Sequence, residues 1–138
     1  MNRYRLLEHT ADMGVEAQGE TRAELFRQMA LGVRRIITAC PLSGVQRTMS
    51  VTVTGGDREE LLVNWLGELV YLLENQGFLL ADVEITAIDD YSLQALLSGA
   101  QYDPSRHFLE REIKAVTYHQ LEVREEAAGW SARVFVDL

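Results

Sequence analysis

The spacing of apolar residues predicts two amphipathic helices. From Thr21, apolar residues recur at spacings of three, four and one, which places them on one stripe of a helix of about 18 residues. Thr21 and Glu24 have the spacing of a capping box, and Pro41 disfavours helix at the residue before it. A second helix is predicted from Asp57 to the stop at Gly77, and its broader apolar arc predicts deeper burial.

The rest of the chain alternates with period two, which is typical of strands. Six segments show this alternation: 14–18, 48–54, 83–88, 93–100, 114–124 and 130–136. The short connection 125–129 predicts that the last two strands form an antiparallel hairpin, and the polar stretch 102–112 predicts an exposed loop. We therefore expect a single α+β domain over residues 1–138, with a roughly six-stranded mixed or antiparallel sheet packed with two main helices.

Composition and charge limit the classes of partner that this protein is expected to bind. The chain has 138 residues and 47% apolar content, and 13 Lys and Arg against 21 Asp and Glu give a net charge of −8. Such a surface repels a phosphate backbone, so stable direct nucleic-acid binding is not expected, whereas a basic protein or a cation is compatible. The longest apolar run, 69–73, is too short to cross a membrane, and one cysteine allows no internal disulfide. We expect a cytoplasmic protein.

Familiar catalytic motifs are absent. Residues 14–21 have the glycine spacing and hydroxyl of a phosphate-binding loop, but Glu20 stands where that loop needs lysine and would repel phosphate. The sequence contains no dinucleotide fingerprint, no zinc-spaced Cys/His set and no Gly-x-Ser-x-Gly elbow. Cys40, next to Pro41, is better explained as a small buried residue than as a nucleophile. The sequence therefore predicts no enzymatic activity of its own.

The two ends of the chain are rich in possible ligands. Asp12 closes a run of oxygen and nitrogen ligands ahead of a strand, and Asp137 lies beside the terminal carboxylate of Leu138. If both ends converge, three carboxylates meet and need a divalent cation or a basic partner. The alternative is that Asp12 caps a turn and Asp137 is a polar chain end, and spacing alone leaves both open.

Five segments in register resemble the archease family. They are Glu-His-Thr-Ala-Asp-Met-Gly at 8–14, Thr-x-x-Glu-Leu-Phe at 21–26, the Leu-Leu-x-x-Trp-Leu-x-Glu-Leu-x-Tyr-Leu helix at 61–72, Ile-Lys-Ala-Val-Thr-Tyr-His at 113–119, and Gly-Trp at 129–130 followed by the near-terminal aspartate. The resemblance implies a small cytosolic α+β protein that activates RtcB-type RNA ligases. Those ligases use GTP and manganese to join RNA ends in tRNA splicing and RNA repair.

The resemblance also implies roles for individual residues. Asp12, Asp137 and the carboxylate of Leu138 are the implied metal ligands. Oxygen-only ligation suits calcium, magnesium or manganese better than zinc, and calcium is our first choice. The resemblance implies that Lys114 contacts the ligase or its bound nucleotide. We predict His9, next to the metal candidate Asp12, as a further contact with the ligase.

Other residues keep two interpretations. His9 either orients Asp12 through a hydrogen bond or has a structural role in a turn. His119 shares a face with apolar residues, where a core histidine is favoured over a ligand. Glu68 is either partnered at the acidic cluster or on the solvent edge of its helix. The aromatic residues Trp65, Tyr71 and Trp130 are predicted to be core.

The functional prediction is an activator that promotes ligase guanylylation and multiple turnover without doing the chemistry. One alternative is a metal-dependent hydrolase using Asp12 and Asp137, but no general base or nucleophile accompanies them in the sequence. Another is a general protein chaperone, which no specific residue supports.

Overall fold

A computed structural model describes residues 3–8, 12–41 and 46–138. Its elements follow one another in the order β1 (Arg3–Glu8), β2 (Asp12–Gly19), α1 (Arg22–Ile37), β3 (Arg47–Thr54), α2 (Arg58–Gln76), β4 (Phe78–Ile88), β5 (Ser92–Gln101), β6 (Ala115–Val116), β7 (Glu122–Glu126) and β8 (Gly129–Asp137). The α+β class and the two main helices are confirmed.

The strands form two antiparallel sheets. In the first sheet the order is β1-β2-β8-β6, and β7 also pairs with β8; in the second the order is β3-β5-β4. Each helix contacts strands of both sheets, so the helices and the inner sheet faces share one hydrophobic core. The described strands number eight and not about six, because β1 precedes the first predicted strand and one predicted strand is divided. Within the described residues, no helix is long and apolar enough to span a membrane.

Both helices begin at the predicted caps. The Thr21 hydroxyl accepts a hydrogen bond from the Glu24 N–H at 3.1 Å, and the Asp57 carboxylate accepts one from the Glu60 N–H at 2.8 Å. These caps satisfy amide groups that have no partner within the helix. α2 ends at Gly77, whose φ of +63° lies in the left-handed region that glycine adopts without a Cβ penalty.

The two helices are joined by a buried tryptophan. Trp65 of α2 is fully buried, and its indole N–H donates to the backbone carbonyl of Phe26 in α1 at 3.0 Å. Its predicted place in the core is confirmed. Tyr71, on the same helix, is 53% exposed, so the prediction that it is core is wrong. The broad apolar arc of α2 includes Tyr71 at its solvent edge, where the sequence pattern does not separate packing from exposure.

The strand predicted over 114–124 is divided by an insertion. Val116 pairs with Val136, and Glu122 pairs with Arg133. The chain therefore advances six residues from β6 to β7 while the partner strand β8 advances only three. The extra residues leave the ladder in a turn at His119, next to Gln120 with φ +51°. His119 is consequently exposed, and its predicted core position is wrong. The alternating pattern of the sequence continues through the inserted residues, but their side chains no longer alternate between the two faces of the sheet. This explains why His119 was predicted to be in the core.

Candidate functional site

The pairing of β2 with β8 brings the two ends of the chain together. Asp12 and Asp137 are direct partners across these antiparallel strands. Their neighbours Met13 and Val136 are buried in the core, so the two aspartates share the opposite, outer face of the sheet. Asp12 is half-buried and Asp137 is exposed. The predicted convergence therefore exists for this pair, whereas metal binding stays a prediction.

The backbone of Lys114 lies beside Asp137. Its backbone N–H donates to the Asp137 carbonyl at 2.8 Å, and the next residue, Ala115, pairs with Asp137 in the sheet. The Lys114 side chain is exposed and makes no ion pair with any residue that the structure describes. Lys114 is also the only lysine in the sequence, a signal that the sequence analysis did not use.

The donor set at this edge fits a hard cation. Within the described ranges, neither Asp12 nor Asp137 forms an ion pair with Lys or Arg. Two adjacent carboxylates that no ion pair neutralises repel each other, and carboxylate oxygens suit calcium or magnesium. Leu138, whose carboxylate is the third predicted ligand, follows directly and packs partly against the core. The part of the chain that the structure describes contains no group of three or more Asp, Glu, His or Cys residues that could hold a metal, so metal binding at this edge stays a prediction.

A buried aromatic ring supports this edge from the outer face. Phe135, two residues before Asp137, is only 4% exposed although it lies on the outer face. A Cβ at Gly14 would lie 2.8 Å from the Phe135 ring, so glycine leaves the room that the ring needs. The ring of His119 packs edge-on against Phe135 with 5.7 Å between centroids. The bulge in the strand thus brings His119 close to the candidate site, and sequence reasoning missed both Phe135 and Gly14.

The remaining predicted residues form no ion pair with the aspartate pair among the residues that the structure describes. His9 lies outside the described residues. Glu68 is half-buried on α2, and its side chain has no ion pair with another described residue, so its predicted partnership at the acidic cluster stays a prediction. Cys40 is half-buried, with its sulfur 3.6 Å from the Pro41 carbonyl oxygen, and is therefore less enclosed than expected.

The opposite end of the same outer face neutralises its own charges. Arg5 pairs with Glu16, Arg133 bridges Glu16 at 3.9 Å and Glu122 at 3.5 Å, and Arg124 donates to Glu122 at 2.8 Å. The hydrogen bond from Arg124 holds the pKa of Glu122 below its usual value. This ladder crosses β1, β2, β8 and β7. Among the described residues of this face, Glu16 and Glu122 are therefore neutralised by ion pairs, whereas Asp12 and Asp137 are not.

Trp130 packs where the two helices begin. The guanidinium groups of Arg22 and Arg58 lie 4.7 Å and 5.3 Å from the centre of its ring. These cation–π contacts tie the start of each helix to β8. Trp130 was predicted to be a core residue. It packs against the core but is only half-buried.

Comparisons with known proteins agree along the whole chain. The model of the Archease protein family matches residues 4–138. Protein archease from Methanosarcina mazei is 41% identical over 140 residues, covering 99% of this chain and 96% of the relative. Protein archease from Pyrococcus abyssi is 31% identical over 142 residues, covering all of both chains.

Solved structures share the fold. The solution structure of Methanobacterium thermoautotrophicum protein 1598 has 30% identity and a TM-score of 0.80, with 98% of each chain covered. The crystal structure of an archease, possible chaperone, from Thermotoga maritima has a TM-score of 0.62 over 97% of this chain and 96% of that one, and at 17% identity it bears on the fold alone. The match of family model, relatives and fold over almost every residue shows that this chain belongs to the archease family.

Proposed function

We propose that this protein activates an RtcB-type RNA ligase in the cytoplasm, promoting guanylylation and multiple turnover in tRNA splicing or RNA repair. One observation supports this proposal most strongly. Asp12 and Asp137 are adjacent and form no ion pair among the described residues, and the next segment carries the exposed Lys114. This arrangement can contact another protein through charge of both signs. The alternative of a metal-dependent hydrolase would need a nucleophile and a general base at the same edge.

The overall charge supports a basic protein partner. An enzyme that binds RNA carries Lys and Arg where phosphates lie, and a chain of net charge −8 is attracted to such a surface. Complementary charge accelerates encounter more than it strengthens the final complex. That property suits a helper that visits an enzyme and leaves again.

A divalent cation belongs to this proposal. Asp12, Asp137 and the Leu138 carboxylate would hold it, and their oxygen chemistry favours calcium, with magnesium or manganese as substitutes. When bound, the cation would screen the repulsion between the carboxylates and leave Lys114 as the exposed charge toward the ligase.

Calcium is expected to stabilise the folded protein. At about 100 times its dissociation constant, calcium should add about 2.7 kcal/mol to the free energy of unfolding, because it binds ionised carboxylates assembled only in the fold. Thermal unfolding with calcium and with chelator measures the shift. Asp12→Asn and Asp137→Asn should each remove most of it, whereas Glu84→Gln on β4 should keep it. An undiminished calcium shift in both aspartate variants would contradict the site.

The activator role is tested by turnovers per ligase molecule. With the cognate ligase, RNA ends, GTP and manganese, adding this protein at about one tenth of the ligase concentration should convert single turnover into multiple turnover. The reason is that a helper released after each guanylylation serves many ligase molecules. The measurement is ligated RNA against time at several protein ratios.

Three outcomes would decide against this proposal. A requirement for equal amounts would indicate a stable subunit, and RNA joined or cleaved without ligase would favour the hydrolase. Unchanged ligase turnover combined with suppressed aggregation of unrelated unfolded proteins would favour a general chaperone.

A further inference from the structure

An open apolar groove lies between the second half of α2 and the segment 102–113. Its volume is about 350 Å³. Apolar side chains form most of its lining: Ile37, Val70, Leu73, Tyr102, Leu109 and Ile113. The sequence predicted only an exposed loop here, but the structure uses this segment to build one wall of the groove.

This wall is held firmly by the end of α1. The backbone N–H of Glu110 donates to the Ile37 carbonyl at 2.7 Å, and the Thr38 hydroxyl donates to the Phe108 carbonyl at 2.6 Å. The Ala39 N–H donates to the Glu110 carboxylate at 3.1 Å. These bonds satisfy groups left over at the helix end, so the groove is formed before any partner binds.

Two exposed aromatic residues are direct sequence neighbours of residues that line the groove. Phe108 directly precedes the lining residue Leu109 and is 73% exposed, although its carbonyl is fixed by Thr38. Tyr71 follows the lining residue Val70 and is 53% exposed. Exposed aromatic side chains beside an apolar depression are typical of binding surfaces, where such residues supply much of the affinity.

The free charge at the rim is negative. Glu74 and Glu112 are exposed and have no ion-pair partner among the described residues. The positive charge of Arg111 is already engaged, since it lies 3.4 Å from Glu110 and donates to the Ile36 carbonyl at 3.2 Å. An apolar groove with an acidic rim is complementary to an apolar side chain flanked by Lys or Arg.

The groove wall and the candidate site are adjacent along the chain. Ile113, its last lining residue, is followed directly by Lys114, whose N–H is bonded to the Asp137 carbonyl. The groove wall therefore leads along the chain into the segment that pairs with Asp137.

We propose that this groove docks a basic, amphipathic segment of the ligase, with a large apolar side chain in the groove and Lys or Arg against Glu74 and Glu112. The inference rests on the proposed function, because it takes the ligase as the partner. It separates two tasks on one protein: the groove holds the ligase, and the neighbouring Asp12, Asp137 and Lys114 edge acts on it.

Charge reversal at the rim tests the docking. Glu74→Lys with Glu112→Lys should weaken binding to the purified cognate ligase by about tenfold or more, measured by isothermal titration calorimetry. The control is Glu84→Lys with Glu125→Lys, which changes the net charge equally at exposed positions on β4 and β7. This control should weaken binding by no more than about threefold, through general electrostatics alone.

An aromatic truncation tests the apolar part separately. Phe108→Ala should weaken ligase binding by about tenfold. The control is Tyr91→Ala, because Tyr91 is 62% exposed in the β4–β5 turn, near the start of α2 and away from the groove. Both side chains are exposed, so neither change removes core packing, and thermal unfolding checks this.

The possible outcomes distinguish a failure of the docking inference from a failure of the proposed function. Weakened binding by the groove variants with intact controls supports the docking inference. Groove variants that bind and stimulate like the wild type overturn the inference and leave ligase activation standing. Wild-type protein that neither binds nor stimulates the ligase overturns the proposed function, and the docking inference with it.

Discussion

Replacing Trp65 with alanine is expected to lower the free energy of unfolding by about 3 to 5 kcal/mol, the range for large buried aromatic side chains. Trp65 is fully buried between the helices, and its indole N–H is bonded to the Phe26 carbonyl. The truncation loses buried apolar area, leaves a cavity and breaks the link from α2 to α1. Urea denaturation followed by circular dichroism measures the change, with this domain unfolding in one step.

Tyr71→Ala is the matched control for this experiment. Tyr71 lies on the same helix but is 53% exposed, so its truncation should change the free energy of unfolding by no more than about 0.5 kcal/mol. Equal losses for the two variants would contradict the description of Trp65 as the residue that joins the helices.

Replacing Lys114 with alanine is expected to reduce ligase stimulation by about tenfold or more while the unfolding temperature stays unchanged. The Lys114 side chain is exposed, and the hydrogen bond to the Asp137 carbonyl comes from its backbone, which alanine retains. The substitution therefore removes one positive charge beside the aspartates and little else. Ligated RNA per ligase molecule, at substoichiometric amounts of this protein, is the readout.

Two further variants separate charge from position. Lys114→Arg keeps the positive charge and should retain part of the stimulation, whereas Arg3→Ala removes a positive charge from an exposed position on β1 and should retain all of it. Full stimulation by Lys114→Ala would show that this side chain does not contact the ligase, even if the turnover experiment supports activation.

The elements that sequence predicted well are those that depend on neighbours along the chain. The caps at Thr21 and Asp57 and the stop at Gly77 are set by residues within one helical turn, and each has the expected hydrogen bond or left-handed φ. The hairpin of β7 and β8 is closed by two residues between Glu126 and Gly129, as its short connection predicted. Local spacing is enough here because the interactions are themselves local.

The candidate site depends on residues that are far apart in the sequence. Spacing alone left Asp12 and Asp137 with two interpretations, and only the resemblance to a family favoured the acidic cluster. Their adjacency requires that residues 12 and 137 pair in register across β2 and β8. Register over that separation is decided by which faces the core buries, and no local signal encodes it.

The sequence by itself determined the α+β class, the two helices with their ends and the chemistry available at the chain termini, because these follow from periodicity, capping and residue type. The tertiary structure alone decided the division into two sheets, the bulge that exposes His119, the exposure of Tyr71 and the wall that 102–113 builds against α1. Each of these depends on which distant residues compete for the same buried surface and backbone partners. That competition is settled only when the whole chain packs.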